Sequence, residues 1–183
     1  MTKVIYILAF FISLQPAAAE TFKFSVDKSS KVNFSTKYEN DAVTGSFDVF
    51  SGEVRFHPDD LENSRTLIRL NSNSVISEYD YAVDTLNTEG WLDPKHFTEI
   101  VFESESFKKI SDKKYEILGN LRIKDIKKPI TLTFTLDEFS KDKATAAGTA
   151  KLLRSDYKLG WKETDELQDL VEITFKVNAT GIK

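Results

Sequence analysis

The chain has 183 residues, a formal net charge of −4 and no cysteine. That length fits one domain with a sizeable core, and the mild acidity excludes a basic phosphate-binding surface, so nucleic acid is not an expected partner. Thiol and disulfide chemistry are excluded, and the two histidines, His57 and His96, have no metal-ligand spacing, so no metal and no cofactor are expected.

The first element is a leader. Lys3 precedes an apolar run from Val4 to Leu14, and Pro16-Ala17-Ala18-Ala19 ends in an A-x-A site. This is the pattern of a secretory signal peptide cleaved after Ala19. The run is shorter than the roughly 20 residues that span a bilayer. The mature chain, residues 20–183, is therefore expected to be exported.

Beyond it the hydrophobic period is two. Val43, Gly45, Phe47 and Val49 share one face, and Val54 and Phe56 follow after Ser51-Gly52, read here as a turn. Tyr115, Ile117, Gly119, Leu121 and Ile123 line another strand. Ile130, Leu132, Phe134 and Leu136 alternate with threonines, after a proline at the strand's start. Val171, Ile173, Phe175, Val177 and Ala179 alternate with polar residues near the end. Each is a strand with one apolar and one wet face, as antiparallel sheets allow.

Strands are predicted near 21–26, 31–37, 43–50, 52–57, 65–71, 99–107, 114–123, 129–138, 144–152 and 170–180, with some fused into bent strands. From Val75 to Phe97 the alternation breaks. Tyr79, Ala82, Val83, Leu86 and Trp91 fit helical spacing, and Asp59-Asp60-Leu61-Glu62-Asn63, after Pro58, offers a further helical turn. The prediction is one all-β antiparallel domain of about eight to ten strands with a short helical insertion; closed barrel and two-sheet sandwich remain alternatives.

Several blocks, in order, resemble the YceI-like family of periplasmic, lipocalin-like, isoprenoid-binding proteins. They are Val43-Thr44-Gly45-Ser46-Phe47 with Phe50 to Phe56, Leu92-Asp93 with Phe97 to Ser104, Gly119 to Ile123 with Lys127-Lys128-Pro129-Ile130, and Arg154 to Gly160. The resemblance spans essentially the whole mature chain. It departs at Asp125 and Lys158, where the family has glycine, and at Thr98, where it has proline; Asp125 is expected to take the left-handed conformation of the hairpin.

The resemblance implies an extended eight-stranded lipocalin-like barrel, located in the periplasm, whose apolar pore holds an isoprenoid-type amphiphile such as a polyprenyl phosphate or an isoprenoid quinone. Residues suited to line such a pore are Phe24, Phe34, Phe47, Phe56, Phe102, Ile117, Leu121, Leu132, Phe134 and Phe175. Packing a solid core is the alternative use of the same residues. Lys127, Lys128, Arg154, Lys158 and Lys162 are cationic candidates for a head group, and Trp91 and Trp161 candidates to flank a mouth. Arg154-Ser155-Asp156 has a structural alternative, as an ion pair at a strand end.

No nucleophile, phosphate-loop or zinc motif is present, so enzyme chemistry is not expected; carboxylate pairs such as Asp59-Asp60 and Asp165-Glu166 read as solvent-facing. Three classes follow: a carrier of an isoprenoid-type lipid, a filled-barrel accessory protein for a quinone-linked membrane complex, and a carboxylate enzyme. A homodimer formed through an edge strand is compatible with the chain, though no segment identifies one.

Overall fold

The computed structural model describes residues 21–47, 50–160 and 166–182. The leader, Trp161, Lys162 and Asp165 lie outside these, as does Val49.

Alternating β-branched and aromatic residues form eleven strand segments among the described residues. They are β1 (Phe22–Val26), β2 (Lys31–Tyr38), β3 (Asp41–Phe47), β4 (Phe50–Phe56), β5 (Arg65–Asn71), β6 (Val75–Ser77), β7 (Glu99–Lys109), β8 (Lys114–Ile123), β9 (Ile126–Phe139), β10 (Lys143–Leu153) and β11 (Leu170–Gly181). A single α-helix among those residues, α1 (Asp80–Leu86), follows β6.

Pairing reduces the segments to eight strands of a closed antiparallel barrel. β1 pairs β4 on one side and the end of β11 on the other, while β2 pairs β3 and the middle of β11. Thus β1 and β2 are two halves of one bent strand, as are β3 and β4, and β5 and β6. The remaining neighbours run β5-β7-β8-β9-β10-β11, and the β1–β11 contact closes the ring. Closure removes the exposed edges that a sandwich would leave, and it decides between the two predicted architectures.

Several local expectations are corrected. Ser51-Gly52 is inside β4. Gly52 stands there because a Cβ would come within 2.5 Å of Ile68 and 2.9 Å of Val26, so the glycine serves close packing and makes no turn. The helix ends at Leu86, and Trp91 belongs to the irregular segment after it. Asp59 to Asn63 forms no helix, with turns only at Pro58-Asp59 and Glu62-Asn63. At the β8–β9 hairpin, Lys124 takes the positive φ of 55°, in place of Asp125. Pro129 lies three residues inside β9; its missing N–H is tolerated because the β9–β10 ladder starts only at Leu132.

The two ends of the barrel are stoppered differently. At one, aromatic rings interlock: Phe56 meets Tyr115 edge-on at 5.5 Å and Phe139 at 5.7 Å, and Tyr115 stacks on Phe134 at 5.2 Å. Such pairs are worth about 0.5–1.5 kcal/mol each beyond burial. His57 joins this plug edge-on to Phe22 and Phe139, so it is a packing residue as well as a partly exposed one. At the other end α1, the segment through Trp91 and Leu92, and a 3-10 turn at Arg154–Tyr157 pack over Phe47, Ile100 and Ile123.

Candidate functional site

Between the two stoppers lies a cavity of about 270 Å³. Every residue lining it is apolar except Thr36, Thr66 and Arg154. A void of this character stays dry and is filled by apolar groups in preference to water. Its volume lies just under the roughly 300–1,000 Å³ usual for small-molecule pockets.

The alternation of the strands builds it. In β9, Ile130, Leu132, Phe134 and Leu136 face inward, and across the β8–β9 ladder Ile117 opposes Leu132. In β11, Val171, Ile173, Phe175, Val177 and Ala179 do the same. All ten residues proposed as pore-lining reach this cavity: Phe24, Phe34, Phe47, Phe56, Phe102, Ile117, Leu121, Leu132, Phe134 and Phe175. The lid contributes Leu86, Trp91, Leu92 and Leu159, which period-two reasoning does not reach. For Leu86, Trp91 and Leu92 the signal was the broken alternation itself, since an apolar segment that abandons strand period must find a face to cover.

Of the five cationic candidates, Lys162 lies outside the described residues, and the other four do not converge. Lys127 is exposed and pairs with Glu103 at 3.8 Å. Lys128 and Lys158 are exposed as well. Lys158 holds a left-handed backbone, φ 52° and ψ 43°, at the end of the 3-10 turn. Arg154 alone among the four reaches the cavity. It is 5 % exposed, and its guanidinium donates to the carbonyls of Leu159 (2.9 Å), Leu167 (3.2 Å) and Gln168 (3.4 Å) and lies 6.0 Å from the Trp91 ring. A buried cation needs such partners to offset its lost hydration. Arg154 thus ties the turn at the end of β10 to the segment that leads into β11.

The acid beside it is held too. Asp169 accepts from the Ser155 amide at 2.8 Å and the Ser155 hydroxyl at 2.6 Å. Burial pushes its carboxyl up, but the two hydrogen bonds from Ser155 and the charge of Arg154 outweigh that and hold it below the ordinary range. Burial, then the nearby Asp156 carboxylate, pushes the Tyr157 phenol up to about 12.

Among the described residues, Arg154 is the one ionisable side chain on the cavity wall. The wall's other polar groups among the described residues are the hydroxyls of Thr36 and Thr66. The geometry suits retention of an apolar body.

Comparison with known proteins agrees with this architecture. Residues 24–179 match the model of the YceI-like domain, and the chain belongs to that family. A UPF0312 protein of Vibrio vulnificus is 21% identical over 177 residues, covering 92% of this chain and 91% of the relative. BcnA of Burkholderia cenocepacia has a crystal structure that superposes with a TM-score of 0.79 at 27% identity, over 85% of this chain and 99% of that one. A polyisoprenoid binding domain from Saccharophagus degradans shares the fold at 13% identity, with a TM-score of 0.69 over 88% of this chain and 99% of that one.

Proposed function

We propose that this YceI-like protein is a periplasmic binding protein that holds the chain of an isoprenoid-type amphiphile, a polyprenyl phosphate or an isoprenoid quinone, inside its barrel. The observation that carries the reading is the continuous apolar cavity running between the two stoppers, with one cation on its wall. The structural likeness to a domain described as polyisoprenoid-binding supports it.

The energetics favour such an occupant. Each methylene moved from water into a dry cavity gains about 0.8 kcal/mol. A branched prenyl chain carries many such groups and no polar atom, which matches a wall that offers almost no hydrogen-bonding partner. The polar end belongs near the lid, where Arg154 and the indole of Trp91 meet the cavity. Binding is favoured over catalysis by the same wall, since a reaction needs a titratable group where this one offers hydrocarbon. No helix among the described residues is long and apolar enough to cross a membrane. The exported location rests on the leader.

The modest cavity volume favours one alternative, a filled scaffold that presents its surface to a membrane complex and carries nothing. Titration with dansyl-labelled geranylgeraniol, followed by energy transfer from tryptophan to the dansyl group, separates the two. Saturable binding of one chain per barrel supports the carrier; no energy transfer and no rise in dansyl emission up to the solubility of the probe supports the scaffold.

A further inference from the structure

We infer that the cavity is reached through the side wall of the barrel, at the seam where β9 and β10 part, and that Ile130 and Ala150 close this portal. The inference rests on the reading of the chain as a holder of an apolar chain. The sheet supplies the first observation. The β9–β10 ladder runs from Phe139 opposite Ala144 to Leu132 opposite Ala150 and stops there. β9 continues for six more residues, Ile126–Thr131, paired with β8 among the described residues, while Lys151–Leu153 of β10 stay with β11. Pro129 sits in the diverging stretch and brings no N–H with which a rung could form.

The second observation is that the wall is one residue thick here. Ile130 and Ala150 line the interior cavity, and they also floor a shallow groove on the outer surface between Leu118, Thr131, Thr133 and Thr149. Both are buried, at 7 % exposed, so little side chain stands between the groove and the cavity. No other residue is shared between the interior and this groove.

The third observation concerns the ends. Passage through the aromatic plug requires Phe56, Tyr115, Phe134 and Phe139 to separate together. At the lid, Arg154 holds the carbonyls of Leu159, Leu167 and Gln168 and so pins the turn after β10 over the opening. At the seam no β9–β10 rung stands beyond Leu132–Ala150, so opening past that pair moves Ile130 and its apolar neighbours without breaking a further β9–β10 rung. A chain passing tail-first through the seam lays its tail on Ile130 and Leu132 while its polar end is still outside among the threonine hydroxyls, so the head group is desolvated only when it moves on toward Arg154 and Trp91.

The test is a staple. The chain has no cysteine, so T131C/K151C can be bridged with a short bis-maleimide across the outside of the seam. A second pair, E103C/N120C, places the same bridge on an intact rung between β7 and β8. Uptake and release of dansyl-labelled geranylgeraniol are followed by stopped flow, with circular dichroism to confirm that each bridged protein is folded. Bridging the seam is expected to slow both rates by about tenfold or more at unchanged affinity, and the β7–β8 bridge to leave them within about twofold. Unchanged exchange through a bridged seam overturns the portal and leaves the carrier reading standing. Failure of the unbridged protein to take up the probe at all overturns both.

Discussion

Gly160 lies against the indole of Trp91 with a backbone φ of 73°, and its amide donates to the Gly90 carbonyl at 2.7 Å. A Cβ at this position would stand 2.5 Å from a ring carbon of Trp91. The contact joins the segment after β10 to the segment after α1, so one pair of residues fastens the two pieces of the lid. G160A is expected to destabilise the protein by roughly 1–3 kcal/mol, through both the forced backbone and the displaced ring. Urea unfolding measures the loss. In a W161F background, where Trp91 alone fluoresces, a red-shifted emission shows that the indole has moved.

Lys158 presents the opposite case. It occupies a left-handed conformation, φ 52° and ψ 43°, that a side chain with a Cβ resists and glycine accepts. The side chain is exposed and has little packing to lose. K158G is therefore expected to raise stability by about 0.5–1 kcal/mol, read as a higher urea midpoint at unchanged slope. A lower midpoint would mean that the lysine makes a contact worth more than the strain.

How much of this was legible in the sequence differs by level. The inward faces of β8, β9 and β11 follow directly from Ile117-Leu121, Ile130-Leu132-Phe134 and Ile173-Phe175, because a strand with one buried side must alternate. The blocks from Val43 onward pointed to the family and hence to closure. Closure itself depends on the register of β1 against β11, which lie at opposite ends of the chain, and no local pattern encodes it. β6 is three residues long, too short to alternate visibly. Arg154 could be recognised as a cation near a strand end, but its three carbonyl partners come from residues 159, 167 and 168, which only the fold assembles. The end of the β9–β10 ladder was hidden too, since Ile130 and Thr131 continue the same alternation past the last rung.

Replacing Arg154 tests its role in holding the lid. R154M keeps the length of the side chain and removes the donors, so the carbonyls of Leu159, Leu167 and Gln168 lose their partner. A loss of roughly 2–4 kcal/mol is expected, since each buried orphaned group costs about 1–3 kcal/mol and some are rewetted. R154K recovers part of it, because a compact ammonium cannot reach three divergent carbonyls. Equal stability of R154M and the parent would remove Arg154 from the account of the lid.

Asp169 makes the stability depend on acid. Its carboxyl titrates below the ordinary value of 3.8 in the folded protein, so the folded state favours the charged form. A depressed folded value contributes stability that is present above the unfolded value and lost as pH falls through the folded one. The parent should therefore lose stability below about pH 4 more steeply than D169N, which has no proton to take up there. Thermal midpoints measured from pH 6 down to pH 2 give the comparison. Parallel profiles for the two proteins would show that the Ser155 hydrogen bonds do not favour the charged form.

Filling the cavity separates the occupant from the wall. Ala146 lines the interior and has room before it. A146F is expected to leave the free protein as stable as the parent or slightly more so, because the new ring occupies a void. It should weaken binding of geranylgeraniol by about tenfold or more, since the ring takes the space of roughly two buried methylenes or more, at about 0.8 kcal/mol each. Unaltered affinity in a stable A146F protein would place the ligand elsewhere.

The central claim, that the barrel carries an isoprenoid-type chain, is tested most directly on protein produced with its own leader and purified from the periplasm without detergent. Organic extraction and mass spectrometry of that material are predicted to yield a polyprenyl phosphate or isoprenoid quinone at close to one molecule per barrel. Protein that emerges free of lipid, and that takes up no isoprenoid when it is offered, would contradict the claim and leave the barrel as a filled scaffold.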